Sequence, residues 1–508
     1  MVYIPGFLVN KVYQSGSLSN NAAGFEFCFL NTMTPLKISG MREIKLNVDG
    51  KDYPAENILL SLDNKTFEIG GSGELSEPVE FSKNSVLKIS VTGTKLSKGK
   101  HIIRISFITN EYGGATLKVS DDLDKKASGI TIGERIKKLI GISPAETPVQ
   151  QLTFEGELGG VPLDPDFSRL ETALRREEPD RVPLFELEIA LPLQEWFLGR
   201  EINTAEDEIE FYVRAGYDFI PVFPPFFAPR MMETSSIKEG DSSDGDRERS
   251  WVVESKGIIK TLKDVEKFPW PDAEDIDFSS FYEIAPLLPP KMKILGMLSP
   301  AAVFGNVSQA MGLQNFCYAL YDNPKVLEAL FEIVGSTYVK IAKKMVNVPK
   351  LGACFMSDDL AYTEGLIVSK KVYRQYVFPW YKRIGEVLQN EDIPFIFHSD
   401  GRLVEVLDDL ADCGICGIHP IEPQAMDIVE IKRNYGDKFC IFGNIDLEYT
   451  LTRGTTAEVE ALVKQRIKEL APGGGYGLAA SNSVPDYVKP ENYLAMITAA
   501  KKYGKYPV

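Results

Sequence analysis

The sequence predicts an α/β protein in which an all-β antiparallel sandwich precedes a (β/α)8 barrel of the TIM type. Eight short apolar runs in the last two-thirds of the chain end in polar residues, and segments with helical apolar spacing separate them. The first 125 residues instead show period-two alternation without helical periods, as in a sandwich. The eight predicted barrel strands are Val182–Glu188, Tyr217–Phe223, Lys293–Ser299, Ala353–Asp359, Phe395–Asp400, Ile415–Glu422, Phe439–Asp446 and Tyr476–Asn482. The clearest helical segments are Val372–Leu388, Ala457–Leu470 and Pro490–Lys502.

Changes in composition divide the chain into three segments. Residues 1–125 predict a β-sandwich accessory domain, in which Asp49-Gly50 after alternating apolar residues indicates a tight hairpin. Residues 126–165 are charged and rich in Gly and Pro, which is typical of a linker or a wrapping arm. Residues 166–508 contain the predicted barrel.

The bulk composition restricts the classes of function. The chain has 508 residues, of which 44% are hydrophobic, and a net charge of −16, which disfavours nucleic acid as a partner. No apolar stretch approaches the roughly 20 residues that span a bilayer, and we expect no membrane partner. Six scattered cysteines favour reduced thiols and a cytoplasmic location. A small-molecule substrate is expected, and the sequence leaves a homo-oligomer open.

Polar residues at the predicted strand ends are the candidates for chemistry. Parallel barrel strands present their carboxyl ends to one mouth, where active sites form. His398 and Asp400 are two residues apart and so project to the same side of one strand. Of the adjacent Asp358 and Asp359 only one can enter the mouth, and we favour Asp359. The catalytic candidates are His398, Asp359, Glu186 and Asp446.

Further residues of the same mouth are candidates for binding. The substrate-binding candidates are Glu188, Asn444, Phe223 and Phe226, and the metal-ligand candidates are His398, Asp400, Glu422 and Asn482. Each group also has a structural alternative. The two glutamates fit solvated rim charges equally well, the phenylalanines fit a core role, and the histidine fits a bond to a backbone carbonyl.

Residues 166–508 resemble the uroporphyrinogen decarboxylase superfamily. The motifs that carry the resemblance include Ser357-Asp-Asp-Leu, Phe397-His-Ser-Asp-Gly, Phe442-Gly-Asn-Ile-Asp and Leu470-Ala-Pro-Gly-Gly-Gly-Tyr. The superfamily implies the barrel fold and contains porphyrinogen decarboxylases and corrinoid-linked methyltransferases.

Departures from the family pattern separate these two branches. The decarboxylases carry arginines after the first strand, whereas this chain has Glu186 and Glu188, which would repel a substrate with many carboxylates. Zinc methyltransferases carry cysteines where Asp400 and Asn482 align. Oxygen ligands favour harder ions than thiolates do. A divalent metal other than a thiolate-bound zinc, or direct substrate binding without metal, is therefore expected.

The first module resembles the β-subunit of bacterial C-glycoside deglycosidases over roughly residues 8–120. The resemblance is carried by Tyr13-Gln-Ser-Gly-Ser-Leu, Ile44-Lys-Leu-Asn-Val-Asp-Gly-Lys and Leu96-Ser-Lys-Gly-Lys-His. In that family the sandwich accompanies a barrel-fold catalytic subunit.

Three functional hypotheses follow. The first is a corrinoid-linked methyltransferase or demethylase that acts on a small methylated molecule, with the corrinoid supplied by a partner protein. The second is a lyase or decarboxylase that acts on a small acid or a C-glycoside-derived compound. The third is a non-catalytic binding protein.

Overall fold

The chain divides into two compact units, and a computed structural model describes most of both. One unit comprises residues 1–149 with 234–253, and the other comprises 150–233 with 254–508. Residues 126–151 of the predicted linker lie outside the described residues, and the boundaries of the linker stay predictions. The described residues are 2–3, 13, 17–30, 36–38, 41–62, 65–68, 79–81, 85–109, 113–123, 152–224, 232–238, 248–268, 270, 273, 276–298 and 301–508.

The first unit contains two five-stranded sheets, with strand orders β1-β12-β11-β5-β6 and β2-β3-β10-β7-β8. Apart from the short parallel pair of β1 with β12, their described pairings are antiparallel. A separate antiparallel pair is formed by β4 and β9. The twelve described strands up to residue 122 are β1 (Val2–Tyr3), β2 (Ser19–Asn20), β3 (Gly24–Leu30), β4 (Leu36–Ile38), β5 (Met41–Val48), β6 (Lys51–Tyr53), β7 (Ile58–Leu62), β8 (Lys65–Glu68), β9 (Val79–Phe81), β10 (Val86–Thr92), β11 (Lys100–Thr109) and β12 (Gly113–Asp122).

Alternate residues of these strands form one hydrophobic cluster. Phe25 and Phe27 of β3 belong to it together with Ile103 and Ile105 of β11, and all four are 0% exposed. The predicted hairpin at Asp49-Gly50 joins β5 to β6, with positive φ at both turn residues. The antiparallel sheets are as predicted, and their packing as a sandwich stays a prediction.

The second unit is built on a curled parallel sheet with the order β15-β18-β19-β22-β23-β24-β25. Every pairing in this sheet is parallel, as the alternation of strands and helices predicts. The strands from residue 157 onward are β13 (Glu157–Leu158), β14 (Val161–Pro162), β15 (Phe219–Val222), β16 (Met232–Lys238), β17 (Glu248–Gly257), β18 (Lys293–Leu298), β19 (Leu351–Ser357), β20 (Ala361–Tyr362), β21 (Gly365–Leu366), β22 (Phe395–His398), β23 (Gly417–His419), β24 (Cys440–Phe442) and β25 (Tyr476–Gly477).

The first predicted barrel strand is less regular than its apolar sequence suggests. Residues 182–189 make isolated parallel bridges, Leu184 to Leu478 and Ile189 to Val484, instead of a continuous ladder. Pro183 has no N–H to donate, although its carbonyl accepts from the amide of Leu478 at 2.9 Å. The segment nevertheless lies beside β25, as the first strand of a TIM barrel lies beside the eighth.

Helices follow the strands in the order that the sequence predicts. They are α1 (Ser168–Leu174), α2 (Leu191–Leu198), α3 (Ala205–Arg214), α4 (Leu262–Lys267), α5 (Ser279–Ile284), α6 (Phe304–Met311), α7 (Leu313–Asp322), α8 (Pro324–Met345), α9 (Lys370–Val372), α10 (Phe378–Gln389), α11 (Leu407–Asp412), α12 (Ile428–Tyr435), α13 (Thr456–Leu470) and α14 (Pro490–Tyr503). A π-helical turn separates α9 from α10 within the predicted helix 372–388. In the described part of the chain, every helix is too short or too polar to cross a lipid bilayer.

Candidate active site

The register of three neighbouring strands brings two histidines and several acids together. Ser357 of β19 pairs with His398 of β22, which in turn pairs with His419 of β23. The chain segments that leave β19 and β22 therefore start side by side. Asp359 and Asp400, each two residues beyond a paired position, meet at this edge of the sheet.

Asp359, His398 and Asp400 form the Asp–His–Asp cluster. Nε2 of His398 lies 3.4 Å from Oδ1 of Asp400 and 3.9 Å from Oδ1 of Asp359. The backbone amide of Asp400 donates to Oδ1 of Asp359 at 3.0 Å. One ligand atom of each residue lies within 4.8 Å of the others, which is close enough for all three to contact one cation.

The two aspartates of the cluster differ in their electrostatic environment. Burial raises the pKa of Asp359, and neighbouring Asp400 raises it further, although the charge of His398 opposes both effects. Burial also acts to raise the pKa of Asp400, but hydrogen bonds from His398 and Asn482 bring it below its ordinary value. Asp400 is therefore the carboxylate that stays ionised most readily.

Asn482 and Glu422 adjoin the cluster. The Asn482 amide donates to Oδ1 of Asp400 at 2.8 Å, while its own oxygen accepts from the Ser483 amide at 2.7 Å. Asn482 thus orients Asp400, and its predicted role as an oxygen ligand would require the side-chain amide to turn. Glu422 accepts from the Gly401 amide at 2.7 Å, and burial and the nearby aspartates raise its pKa.

A cavity of about 720 Å³ opens beside Glu422 and Asn482. Polar side chains dominate its wall, and most come from loops that follow the barrel strands. The lining residues are Thr363, Glu422, Gln424, Leu447, Glu448, Thr452, Arg453, Ser481, Asn482 and Tyr487. The volume suits a small molecule.

Two predicted site residues are engaged in local structure instead of the cluster. Asp446 accepts from the backbone amides of Glu448, Tyr449 and Thr450 at 2.8–3.0 Å, so it caps the turn after β24. Asn444 is buried, donates to the carbonyl of Ile421 and accepts from Arg466 on α13. The positions after β24 therefore support the loops around the cavity.

The first barrel strand turns its glutamates away from the barrel interior. Phe185 stacks on Phe442 at 4.2 Å between ring centroids and so points inward. The neighbouring Glu186 consequently faces the helix layer, where its charge influences Tyr212 and Tyr217. Glu186 is 1% exposed, and burial raises its pKa well above the ordinary value.

The remaining predicted binding residues do not contact the cluster in the described structure. Glu188 lies on the same side of the strand as Glu186. It is exposed to solvent, but the protein around its carboxyl raises the pKa of this group. Phe223 is half-buried just beyond β15. Phe226 lies outside the described residues.

The donor set of the cluster fits a divalent cation that prefers oxygen ligands. It offers one imidazole nitrogen and two carboxylates, and the described cluster contains no thiolate. Cys413 and Cys416, which have CxxC spacing, direct their thiols to the backbone carbonyls of Phe378 and Phe395. Neither thiol is therefore directed into the Asp–His–Asp cluster.

Comparison with known proteins identifies the family of this barrel. The sequence model of the uroporphyrinogen decarboxylase family matches residues 252–503. These residues form a uroporphyrinogen decarboxylase domain. The methylcobamide:CoM methyltransferase MtaA of Methanosarcina barkeri is 26% identical over 208 residues, which cover 41% of this chain and 57% of that enzyme. The methylcobamide:CoM methyltransferase MtbA of Methanosarcina acetivorans is 22% identical over 349 residues, covering 66% and 97%.

A solved methyltransferase from Methanosarcina mazei is 17% identical, with a TM-score of 0.48, and the match covers 66% of this chain and 98% of that one. A second family model, that of the hydroxymethylglutaryl-CoA reductase N-terminal domain, matches residues 8–124. This description is unrelated to the C-glycoside deglycosidases. The resemblance of the first module to their β-subunit is therefore not supported and stays a prediction.

No pattern in the sequence indicated that several residues of the site line the cavity. Gln424, Glu448 and Arg453 line the cavity from loops, where apolar periodicity carries no information. These three residues are linked by hydrogen bonds. The Gln424 amide donates to the Glu448 carboxylate at 3.0 Å, and Arg453 donates to the Glu448 backbone carbonyl. His419 lies within the predicted strand Ile415–Glu422, and its place in the strand that follows the strand of His398 was the available signal for their pairing.

Proposed function

We propose that this protein transfers a methyl group between a small O- or N-methylated molecule and a corrinoid carried by a partner protein. The observation that carries the proposal is the Asp–His–Asp cluster beside a polar cavity at the carboxyl ends of the barrel strands. The methyltransferase names of the relatives support the same reaction class.

The cavity is the proposed substrate site, and Glu422 is its proposed acid. Removal of a methyl group leaves negative charge on the oxygen or nitrogen that carried it, and a proton neutralises that charge. Burial and the nearby aspartates raise the pKa of Glu422, so this carboxyl holds its proton closer to neutral pH than an exposed glutamate does. The Gly401 amide fixes its orientation.

His398, Asp359 and Asp400 are the proposed holders of a divalent ion. When bound, such an ion polarises the leaving oxygen or nitrogen of the substrate. Asn482 keeps Asp400 turned toward His398 through its 2.8 Å hydrogen bond. Asp400 is the most readily ionised of these acids and would carry most of the attraction for the cation.

The test mixes the protein with a free or protein-bound corrinoid that has been reduced to the cobalt(I) state, Mn²⁺ and a panel of O- and N-methylated small molecules, and follows the cobalt spectrum. We expect methylation of the corrinoid with at least one donor. Glu422→Gln and Asp400→Asn should each lower the rate by about 100-fold or more. Asp408→Asn, which changes a surface acid paired with Lys438, is the matched control and should keep the rate.

An unchanged cobalt spectrum across the whole panel would contradict the proposal. Turnover of C-glycosides with Mn²⁺ and without corrinoid would favour the lyase hypothesis instead. Metal analysis of the purified protein tests the cation site separately, because Asp400→Asn should lower the bound metal while Asp408→Asn should not.

A further inference from the structure

His419 is a buried polar residue to which the proposed reaction assigns no role. It is 0% exposed, and its Nδ1 lies 2.8 Å from Nδ1 of His398. The rings of Phe185 and Phe355 lie 5.5 and 5.9 Å from its own ring. Among the described residues, nothing forms a hydrogen bond with its Nε2.

The short distance between the two Nδ1 atoms limits where protons can lie. One nitrogen of the pair must donate and the other must accept, because two N–H groups or two lone pairs would repel. His419 is fully buried against aromatic rings, an environment that disfavours a charged imidazole, so its ring carries one proton. Two rings that carry one proton each can form this hydrogen bond in two arrangements.

In the first arrangement His419 donates from Nδ1, and His398 carries its proton on Nε2. That proton then faces Oδ1 of Asp400 at 3.4 Å, which an ionised carboxylate favours. In the second arrangement His398 donates from Nδ1, and its Nε2 presents a lone pair to the Asp–His–Asp cluster. His419 then carries its proton on Nε2, where the neighbouring aromatic rings are weak acceptors.

We propose that His419 is a positioning residue that orients His398 and changes tautomer with it when a divalent ion binds Nε2 of His398. The ion-free pair adopts the first arrangement, and the ion-bound pair adopts the second. Protons balance: His398 releases its Nε2 proton to solvent and receives the Nδ1 proton of His419, and His419 takes up one proton from solvent at Nε2. This inference rests on the cation site of the proposed function, but not on methyl transfer.

Two substitutions separate hydrogen bonding from filling of space. His419→Phe keeps an aromatic ring and removes Nδ1, whereas His419→Asn places an amide where Nδ1 was. We expect His419→Phe to weaken Mn²⁺ binding about 10–100-fold. His419→Asn should stay within roughly threefold of the parent, because an amide can donate to His398 or accept from it. Mn²⁺ titration followed by electron paramagnetic resonance measures both affinities.

The tautomers themselves can be measured in the parent protein by ¹⁵N NMR of the imidazole nitrogens at pH 8. The chain has three histidines, and His101 serves as an internal reference because its two ring nitrogens bond to Asp49 and Ser97. We expect His398 protonated at Nε2 and His419 at Nδ1 without metal, and the reverse with diamagnetic Zn²⁺. His419→Asn assigns the signals.

A His419 signal protonated at Nε2 in the ion-free protein would overturn the inference, and so would ion binding without reversal. Equal Mn²⁺ affinities for His419→Phe and the parent would also overturn it. If the parent binds neither ion, the cation site of the proposed function and the ion-driven reversal both fail. Methyl transfer that fails while Zn²⁺ reverses the tautomers would contradict the proposed reaction and support this inference.

Discussion

Asp358 and Asp359 are neighbours in the chain, but their side chains have different surroundings. Asp359 joins the Asp–His–Asp cluster, while Asp358 is 0% exposed and lies behind the strand end. Period-two geometry predicts such a separation, because neighbouring residues at a strand end face opposite sides. The partners of Asp358 depend on α6 and α10, which no local pattern identifies.

Glu186 permits a test of pH dependence at a single residue. Its carboxyl accepts from the Ala480 amide at 2.8 Å, and burial raises its pKa well above the ordinary value. A folded-state pKa above the unfolded value means that the folded protein binds more protons, so stability falls as pH rises through this range. Glu186→Gln should reduce this fall. Melting temperatures from pH 5 to 9 measure it.

Part of the slope should remain in the variant, since burial also raises the pKa of Glu208 to about 7. Glu391→Gln, at an exposed position, is the control and should follow the parent at every pH. Parallel curves for Glu186→Gln and the parent would show that folding does not raise the pKa of this carboxyl, which would then be ionised in both the folded and the unfolded state over this range.

Elements with strong local patterns were predicted more accurately than those that depend on closure of the barrel. The predicted helix 457–470 appears as α13, and Thr455 and Glu458 form a capping box at its start. The predicted first and eighth strands instead contain few regular pairs, because Pro183 interrupts the ladder and only Tyr476–Gly477 is continuous in the last strand. Apolar runs indicate which segments are buried, whereas the regularity of the hydrogen bonds between strands depends on the neighbouring strands.

The start of α6 permits a test at the scale of an element. Asp358 accepts from the amides of Val303, Phe304 and Gly305 at 2.7 Å and from the Tyr381 hydroxyl at 2.6 Å. Removal of the carboxylate leaves these buried donors without a partner. Asp358→Ala should therefore lower the free energy of unfolding by about 3 kcal/mol or more.

The matched control for this prediction is Asp427→Ala. Asp427 caps α12 by accepting from Val429 and Glu430, but it is exposed, so water can replace it. Its loss should cost about 1 kcal/mol. Urea denaturation compares the two variants, and equal costs would contradict the importance of burial at Asp358.

The division of the chain into two compact units can be tested by thermal unfolding of the whole protein. Each contains its own buried residues, among them Phe27 in the first unit and Phe211 in the second, and both are 0% exposed. Chains with two cores often unfold in more than one step. Differential scanning calorimetry should therefore resolve two transitions for this protein.

Cavity-forming substitutions assign the transitions to the units. Phe27→Ala and Phe211→Ala should each destabilise their own unit by about 3–5 kcal/mol. We expect each variant to move a different transition downward and to leave the other in place. A single transition that both substitutions shift equally would show that the units unfold together.

The sequence alone determined the alternation of barrel strands and helices, the antiparallel strands of the first module and the superfamily. These depend on periodicity and ordered motifs, which are local properties of the chain. Only the tertiary structure decided that Asp359, His398 and Asp400 meet while Asp446 caps a turn and Glu186 faces the helices. The physical reason is that strand register and the twist of the sheet set the direction of each side chain, and both depend on contacts between residues far apart in the chain.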